Sequence, residues 1–432
     1  MDRKPMEKTG KLGILVGGGP APGTNSVIAA AAIRGNLAGV EVIGLMDGFS
    51  HLRGKTTPQR MALPIEVVSQ SHFRGGSLLR TSRDVPSTPA EDQAAINTLK
   101  VLGIDRLVTI GGDETCKVTM RLARASSDIH FVHVPKTIDN DLPLPPGIQT
   151  LGYETARHVG VGIIRDLLVD AKTMGRWYLV TTMGRSAGHL ALGIGKAAGA
   201  TLTLIPEELP PGRLTIDWIV DTLIGAIIKR MASGRRDGVA LLAEGLAEWL
   251  PPDELALVRR PTSGSTVRLG DLGLGEVVRN RVHERLGHFG VRAEMAEKSI
   301  GYELRSADPI PFDMEYARDL GYSAAKFLLE NGKSAMMTMV AGKFAPVSFT
   351  DMESQAGGGL QVRPVDTETE TYKIARRYMI RLRRDDFEDE DLLARLATTA
   401  NMTSTDFRKR FAPLVHDEAP PLRFLAKAAL VG

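Results

Sequence analysis

Short aliphatic runs alternate with longer helix-like stretches over the first half of the chain, and several of the runs end in a glycine-rich or polar turn. Runs of strand length occur at residues 13–16, 41–45, 106–110, 131–134, 177–181 and 239–243. This alternation predicts an α/β fold built on parallel strands. Because open α/β sheets bind ligands at the carboxyl ends of their strands, we expect the functional residues just after these runs.

Composition narrows the classes of function. The chain has 432 residues, of which 43% are apolar, and its single cysteine, Cys116, leaves no internal disulfide. The 54 basic and 51 acidic residues give a net charge of +3, which is too balanced to indicate nucleic acid as the main partner. No apolar run reaches the roughly 18 residues of a membrane span, and the charged N-terminus lacks the layout of a secretory signal. We therefore expect a cytoplasmic protein that binds neither nucleic acid nor a membrane.

Two glycine-rich turns follow strand-like runs and open helix-like stretches. Residues 17–25 read GGGPAPGTN and residues 111–115 read GGDET. Backbone N–H groups at such turns attract phosphate oxygens, and Asp113 adds a hard oxygen ligand suited to Mg²⁺. A structural alternative exists for both, since the first sequence also suits a tight turn and Asp113 and Thr115 also suit a helix cap.

A third polar turn follows the run at 131–134, and residues 135–141 read PKTIDND. Asp139 and Asp141 stand two residues apart, with Lys136 three residues upstream. This places a base, a metal ligand and a phosphate-binding cation within a few residues of one another. An Asp-Asn-Asp turn is common as a purely structural feature, whereas the preceding Lys-Thr and two upstream glycine turns are not.

The three motifs, in this order, resemble those of the phosphofructokinase family. Further similarities lie at residues 75–77 with 82–83, at 183–185, at Glu244 and at 301–305, so that the resemblance runs from residue 13 to about 327. It implies two Rossmann-like three-layer α/β domains facing a cleft. We expect residues 1–150 plus about 305–355 to bind the phosphoryl donor and Mg²⁺, and 151–304 to bind the sugar phosphate. Residues 356–432 are predicted to form an appended, mainly helical tail.

The resemblance also implies roles for individual residues. It assigns Asp139 as the general base, with Lys136 and Arg83 at the transferring phosphoryl group and Asp113 at Mg²⁺. The residues expected to bind the donor are Gly18, Gly19, Gly112, Glu114 and Thr115. The residues expected to hold fructose 6-phosphate are Thr137, Asp141, Arg176, Met183, Gly184, Arg185, Glu244, Tyr302 and Arg305. Among these, Arg176 matches an arginine that reaches the substrate from a neighbouring subunit, which implies a homodimer or homotetramer.

The implied reaction is reversible, Mg²⁺-dependent transfer of a phosphoryl group to the 1-hydroxyl of fructose 6-phosphate. Glu114 stands where ATP-using relatives typically have glycine, and the added side chain favours pyrophosphate as the donor. An ATP-dependent phosphofructokinase, a non-catalytic sugar-phosphate-sensing subunit, and another kinase with the same Gly-Gly-Asp turn remain as alternatives. Two local features stand apart: Arg80 is larger than the glycine expected there, and residues 250–268 are predicted to be a surface loop.

Overall fold

The predicted aliphatic runs form strands in the computed structural model, which describes residues 10–54, 57–259, 272–355 and 361–415. The ends of these runs agree with the observed strand ends to within two residues. The strands are β1 (Lys11–Val16), β2 (Val42–Leu45), β3 (Arg60–Ala62), β4 (Ile104–Gly111), β5 (His130–Pro135), β6 (Trp177–Thr182), β7 (Leu202–Leu204), β8 (Gly238–Ala243), β9 (Met295–Ile300), β10 (Ala335–Val340) and β11 (Lys343–Ser348).

Helices connect most of the strands. They are α1 (Thr24–Leu37), α2 (Ile65–Val68), α3 (Pro89–Val101), α4 (Asp113–Ala125), α5 (Tyr153–Met174), α6 (His189–Ala198), α7 (Ile216–Ala232), α8 (Pro252–Val258), α9 (Leu274–His288), α10 (Tyr302–Ser306), α11 (Pro311–Leu329), α12 (Phe349–Gln355), α13 (Glu370–Tyr378), α14 (Asp385–Glu388), α15 (Glu390–Thr399) and α16 (Ser404–Phe411). Helix α8 corrects the prediction of a loop over 250–268, because Pro252 suits the first position of a helix and Asp253 and Glu254 suit its first turn. Residues 260–268 of that predicted loop lie outside the described residues.

The chain divides into two compact units, one formed by residues up to 160 with 301–364, the other by 161–300 with the residues from 365 on. The first unit contains a sheet in the order β11-β10-β5-β4-β1-β2-β3. Its inner strands are parallel, while β3 and β11 are antiparallel to their neighbours. Because β2 and β4 lie on opposite sides of β1, the strand order reverses there, and ligands bind at such switch points. The turns after β1, β4 and β5 therefore share one edge of the sheet.

Helices cover both faces of this sheet. One core forms where α1 and α11 meet the strands, and it contains Ile14 of β1 and Val27 of α1. The other core forms beneath α3 and α4, and it contains Leu15 of β1 and Phe131 of β5. Successive residues of β1 thus face opposite cores, as the two-residue period of a strand requires. Strands buried on both faces give a rigid base to the turns that follow them.

The second unit is built on a parallel sheet in the order β7-β8-β6-β9. Its core extends into the C-terminal helices, which contribute Tyr372, Phe407 and Phe411. The predicted helical character of this part of the chain is confirmed over α13 to α16, and its aromatic side chains belong to the core of the unit. Arg381 is buried and donates to Glu208 Oε2 at 2.7 Å, which fixes the C-terminal segment further. Among the described residues, no helix is both long and apolar enough to cross a membrane.

Candidate active site

The first glycine turn, residues 17–19, lies at the carboxyl end of β1. Gly18 has a left-handed backbone with φ of 77°, which glycine adopts without steric cost. Its N–H donates to the Ser82 carbonyl oxygen at 2.9 Å, and Thr81 Oγ1 donates to the Gly18 carbonyl oxygen at 2.6 Å. The turn is therefore fixed by the same segment that carries Arg83.

Three cationic side chains surround this turn. Lys136, at the end of β5, is 2% exposed, and its Nζ donates to the Gly17 carbonyl oxygen at 2.9 Å and to that of Gly19. A Cβ atom on Gly19 would lie 3.1 Å from Arg305 Nη1 and 4.0 Å from Arg83 Nη2. Burial, together with the charges of Arg305 and Arg83, lowers the pKa of Lys136 to about 7. So much positive charge at one glycine turn suits a polyvalent anion such as a phosphate chain.

The second glycine turn, at the end of β4, packs against the first through Thr115. Cβ atoms placed on Gly17 and Gly111 would lie 2.3 Å and 2.4 Å from Thr115 Oγ1, so this buried side chain fills the space between the two turns. Gly112 precedes α4 with an extended backbone, φ of −85° and ψ of −159°, and N–H groups at the start of a helix are suited to bind an anion. Thr115 thus helps to position the two turns relative to each other. A contact between Thr115 and the donor stays a prediction.

The first turn of α4 carries two carboxylates that share one lysine. Lys117 Nζ lies 3.2 Å from Asp113 Oδ2 and 2.8 Å from Glu114 Oε1. Sequence reasoning did not select Lys117, although its spacing of three and four residues from the acids is typical of helical ion pairs. Because the Glu114 side chain is 56% exposed and already paired, its charge is partly neutralised.

The polar turn after β5 holds two carboxylates in a tight conformation. The Asp139 N–H donates to Thr137 Oγ1 at 3.1 Å, and Asn140 has a left-handed backbone with φ of 56°. Burial, together with the nearby charges of Asp139 and Asp113, raises the pKa of Asp141 to about 7. The Lys136 N–H donates to the Gly111 carbonyl oxygen at 2.8 Å, so this turn lies beside the one that precedes Asp113.

The donor set at this edge of the sheet suits Mg²⁺ only in combination with a ligand. Across the described ranges of the chain, no group of three or more His, Cys, Asp or Glu side chains could hold a metal ion alone. Mg²⁺ typically binds through one or two carboxylates together with substrate phosphates and water. Asp113, which is partly exposed beside the second glycine turn, fits that description.

Arg305 reaches the first glycine turn from α10. Its guanidinium lies over the Tyr302 ring, with 4.7 Å between Cζ and the ring centroid, and it lies near Gly19 as described above. Tyr302 is 56% exposed. Stacking on the ring orients Arg305, so the structure brings together Arg305, Arg83 and Lys136 from three separate segments of the sequence.

Two of the predicted sugar-binding segments meet in the second unit. Residues 183–185 follow β6, and the Met183 N–H donates to the Ile300 carbonyl oxygen at 2.9 Å. Glu244 follows the neighbouring strand β8 and is buried. A Cβ atom on the next residue, Gly245, would lie 2.9 Å from the Arg185 carbonyl oxygen. Because β6 and β8 are parallel neighbours, their carboxyl ends place Met183, Gly184 and Arg185 close to Glu244.

Arg176 lies at the opposite end of β6. Its guanidinium donates to Asp170 Oδ2 at 2.6 Å and lies over the Tyr178 ring, 5.0 Å from the centroid. Strands rise about 3.3 Å per residue, so Arg176 and Met183 of one chain are separated by about 20 Å. Arg176 is therefore too far from residues 183–185 to share a site with them within a single chain. This separation is consistent with a residue that acts in the site of a neighbouring subunit.

One further residue at the site has no motif. Arg363 Nη2 donates to the Asn140 carbonyl oxygen at 3.0 Å, and its Nη1 donates to that of Ile148 at 2.8 Å. Its distance in sequence from the turn explains why no local pattern indicates it. Arg80, noted as larger than expected, has a left-handed backbone with φ of 55°, which accounts for a preference for glycine there.

The phosphofructokinase family profile matches residues 11–328, which include both glycine turns and the carboxylate turn. A pyrophosphate–fructose 6-phosphate 1-phosphotransferase of Naegleria fowleri is 45% identical over 421 residues, covering 94% of this chain and 95% of that protein. The chain belongs to the phosphofructokinase family. The phosphotransferase of the same name from Thermotoga maritima is 46% identical over 411 residues, covering 93% of this chain and 98% of that relative.

A solved phosphofructokinase structure shares the fold. The pyrophosphate-dependent phosphofructokinase of Marinobacter aquaeolei superposes with a TM-score of 0.65 at 16% identity, covering 95% of this chain and 93% of that one. The predicted α/β phosphofructokinase architecture is therefore confirmed. The family profile ends before Arg363 and before helices α13 to α16.

Proposed function

We propose that this chain catalyses Mg²⁺-dependent, reversible transfer of a phosphoryl group from pyrophosphate to the 1-hydroxyl of fructose 6-phosphate. The products are fructose 1,6-bisphosphate and orthophosphate, and the proposed reaction is a step of glycolysis. The observation that carries the proposal is the group of Lys136, Arg83 and Arg305 around Gly19, with Asp139 three residues beyond Lys136. The cations of such a site would bind a polyvalent anion, and its carboxylate would accept the proton of a hydroxyl group. The relatives at 45% and 46% identity carry the name of this reaction.

In the proposed mechanism, Asp139 accepts the proton of the 1-hydroxyl. The hydroxyl oxygen then bonds to the nearer phosphorus of pyrophosphate, and the bond from that phosphorus to the bridging oxygen breaks. The electron pair leaves with orthophosphate, so no covalent enzyme intermediate forms. The half-buried Asp139 is held by its N–H bond to Thr137, which keeps the base at one position while Thr137 and Asp141 border the acceptor.

The phosphates would be bound by the N–H groups of Gly18, Gly19 and Gly112 and by the three cations. Charge develops on the transferring group during in-line displacement, and fixed cations in a partly dry site stabilise it without reorganisation. Asp113 would hold Mg²⁺, which in phosphoryl transfer neutralises charge on the donor oxygens. Met183, Gly184, Arg185 and Glu244 would hold the sugar phosphate, together with Tyr302 and Arg305.

We also propose that the active form is a homo-oligomer in which Arg176 serves the site of a neighbouring copy. The position of Arg176, at the far end of β6 from residues 183–185, supports this assignment. Its ion pair with Asp170 holds the guanidinium at the surface, with the side chain 24% exposed. An arginine presented in this way is suited to contact an anionic substrate group bound on another chain.

The choice of pyrophosphate over ATP rests on the volume of Glu114. Lys117 offsets the charge of this side chain, so repulsion of a nucleotide phosphate is weakened. The side chain itself still occupies space beside Asp113, where a glycine would leave room for the nucleotide. Pyrophosphate is short enough to avoid that space.

A donor-by-acceptor assay tests the proposal. The purified chain with Mg²⁺ is expected to use pyrophosphate and fructose 6-phosphate well, to use ATP poorly, and to run measurably in reverse. Glu114→Gly should shift preference toward ATP, and the matched control Glu114→Gln, which keeps the volume and removes the charge, should retain the pyrophosphate preference. Wild-type protein that used ATP better than pyrophosphate would refute the donor assignment. Absence of transfer with both donors would favour a non-catalytic sensing subunit.

A further inference from the structure

A segment beyond the family match reaches the carboxylate turn through Arg363. This residue lies between α12 and α13, 223 residues after Asn140, in the part of the chain that the family profile does not cover. Its backbone N–H donates to the Asp141 carbonyl oxygen at 2.8 Å. The side chain and the main chain of Arg363 thus both donate hydrogen bonds to the turn that contains Asn140 and Asp141.

The guanidinium makes several directed contacts with that turn. Nε and Nη2 both donate to the Asn140 carbonyl oxygen, at 3.2 Å and 3.0 Å, and Nη2 also donates to Asn140 Oδ1. Nη1 donates to the Ile148 carbonyl oxygen at 2.8 Å. A planar group that binds in three directions fixes orientation as well as distance.

Asn140 is constrained from a second side as well. Its Oδ1 accepts the Thr150 N–H at 3.0 Å, so that the side-chain amide is held between Thr150 and Arg363. The left-handed backbone of Asn140 sets the directions in which the chain leaves on either side. Those directions determine where the carboxylates of Asp139 and Asp141 point.

We propose that Arg363 is a positioning residue for phosphoryl transfer, which holds Asn140 so that the Asp139 carboxylate is aimed at the acceptor hydroxyl. The inference rests on the proposed role of Asp139 as the base. This positioning role differs from a purely structural role, in which Arg363 would only attach the segment after α12 to the rest of the first unit. A structural attachment affects the amount of folded protein, whereas positioning affects turnover by each folded molecule.

The test compares Arg363→Ala and Arg363→Lys with the wild type in kcat, in both KM values and in unfolding temperature. Misplacement of a reacting group by about 1 Å costs on the order of 100-fold in rate. We therefore expect Arg363→Ala to lower kcat, normalised to folded protein, by roughly 10- to 100-fold with little change in either KM. Lysine should restore only part of the rate, because it cannot donate in the same three directions. Arg377→Ala, at an exposed position of α13, is the matched control and should retain wild-type kinetics.

Chemical rescue separates positioning from attachment. Low millimolar guanidinium chloride should raise kcat of Arg363→Ala in a saturable manner, while equal sodium chloride should not. Unchanged kcat in Arg363→Ala, or a loss that follows the unfolded fraction and that guanidinium does not reverse, would overturn the inference. Asp139→Asn is measured in parallel. If Asp139→Asn kept its turnover, the base assignment would fail together with the inference; if only the Arg363 variants kept theirs, the inference alone would fail.

Discussion

Replacement of Lys136 by methionine offers a direct test of the cation cluster at the first glycine turn. Methionine matches lysine closely in length and removes the ammonium group. Because burial and the charges of Arg305 and Arg83 lower the pKa of Lys136 to about 7, the ammonium titrates within the working range of most enzymes. Pyrophosphate should bind the charged form, so the contribution of Lys136 is present below pH 7 and is lost as the pH rises through 7.

The expected size of the change in pyrophosphate binding follows from this pKa of Lys136. Lys136 is about half protonated at pH 7 and about 1% protonated at pH 9, so its charged fraction falls about 50-fold. This fall sets an upper limit of about 2.3 kcal/mol on the change in the contribution of Lys136 to donor binding. The ratio of the pyrophosphate KM of Lys136→Met to that of the wild type should therefore shrink between pH 7 and pH 9, by at most about 50-fold.

The assay is an initial-rate measurement from pH 6 to pH 9 at saturating Mg²⁺, with fructose 1,6-bisphosphate detected through coupling enzymes in excess. The KM ratio cancels the ionisation of pyrophosphate itself, which is identical for both proteins. The KM for fructose 6-phosphate serves as the internal control, and its ratio should stay constant. Unfolding temperatures at each pH show whether the variant remains folded.

A KM ratio that is well above 1 and stays the same from pH 7 to pH 9 would refute the reasoning, because Lys136 would then carry its charge throughout. A ratio near 1 at every pH would mean that Lys136 does not contact the donor.

Three further outcomes are expected. Asp139→Asn should lower kcat by a factor on the order of 10² or more while sugar-phosphate binding, measured by calorimetry, stays nearly intact; near-normal turnover would exclude Asp139 as the base. Mixing inactive Arg176→Ala with inactive Asp139→Asn should restore part of the activity after subunit exchange, whereas a fully active monomer in ultracentrifugation would contradict the shared site. Arg381→Met should lower the free energy of unfolding in urea by about 3 kcal/mol, because Glu208 loses its most buried partner; a loss below about 1 kcal/mol would argue against that pair.

Local patterns predict much of the fold and of the donor site. The strands and the turns after them have signals within ten or so residues, namely an aliphatic run followed by glycine or by acidic and basic side chains. The sheet then brings the carboxyl ends of β1, β4 and β5 to one edge, whatever the intervening sequence. The sequence alone therefore predicts that residues 17–19, 111–113 and 136–141 belong to one site.

Long-range contacts set the limit of sequence reasoning. Arg363 meets Asn140 across 223 residues, and nothing in its neighbourhood distinguishes it from a surface arginine. The C-terminal helices show an amphipathic pattern, which indicates that one face is buried but not which core receives it. Lys117 is different, since its spacing from Asp113 and Glu114 made the ion pair predictable from helix geometry.

The order in which the chain supplies its two units has a consequence for its synthesis. The chain crosses between the units after residues 160, 300 and 364. Strands β10 and β11 of the first unit emerge from the ribosome only after 161–300 have been made, and Phe407 and Phe411 of the second unit emerge later still. Multidomain chains commonly fold one domain at a time during translation, but here neither unit is complete before most of the other has been made. A nascent chain halted near residue 364 would expose the apolar surface that α13 to α16 cover, so truncated products should be substrates for chaperones and proteases.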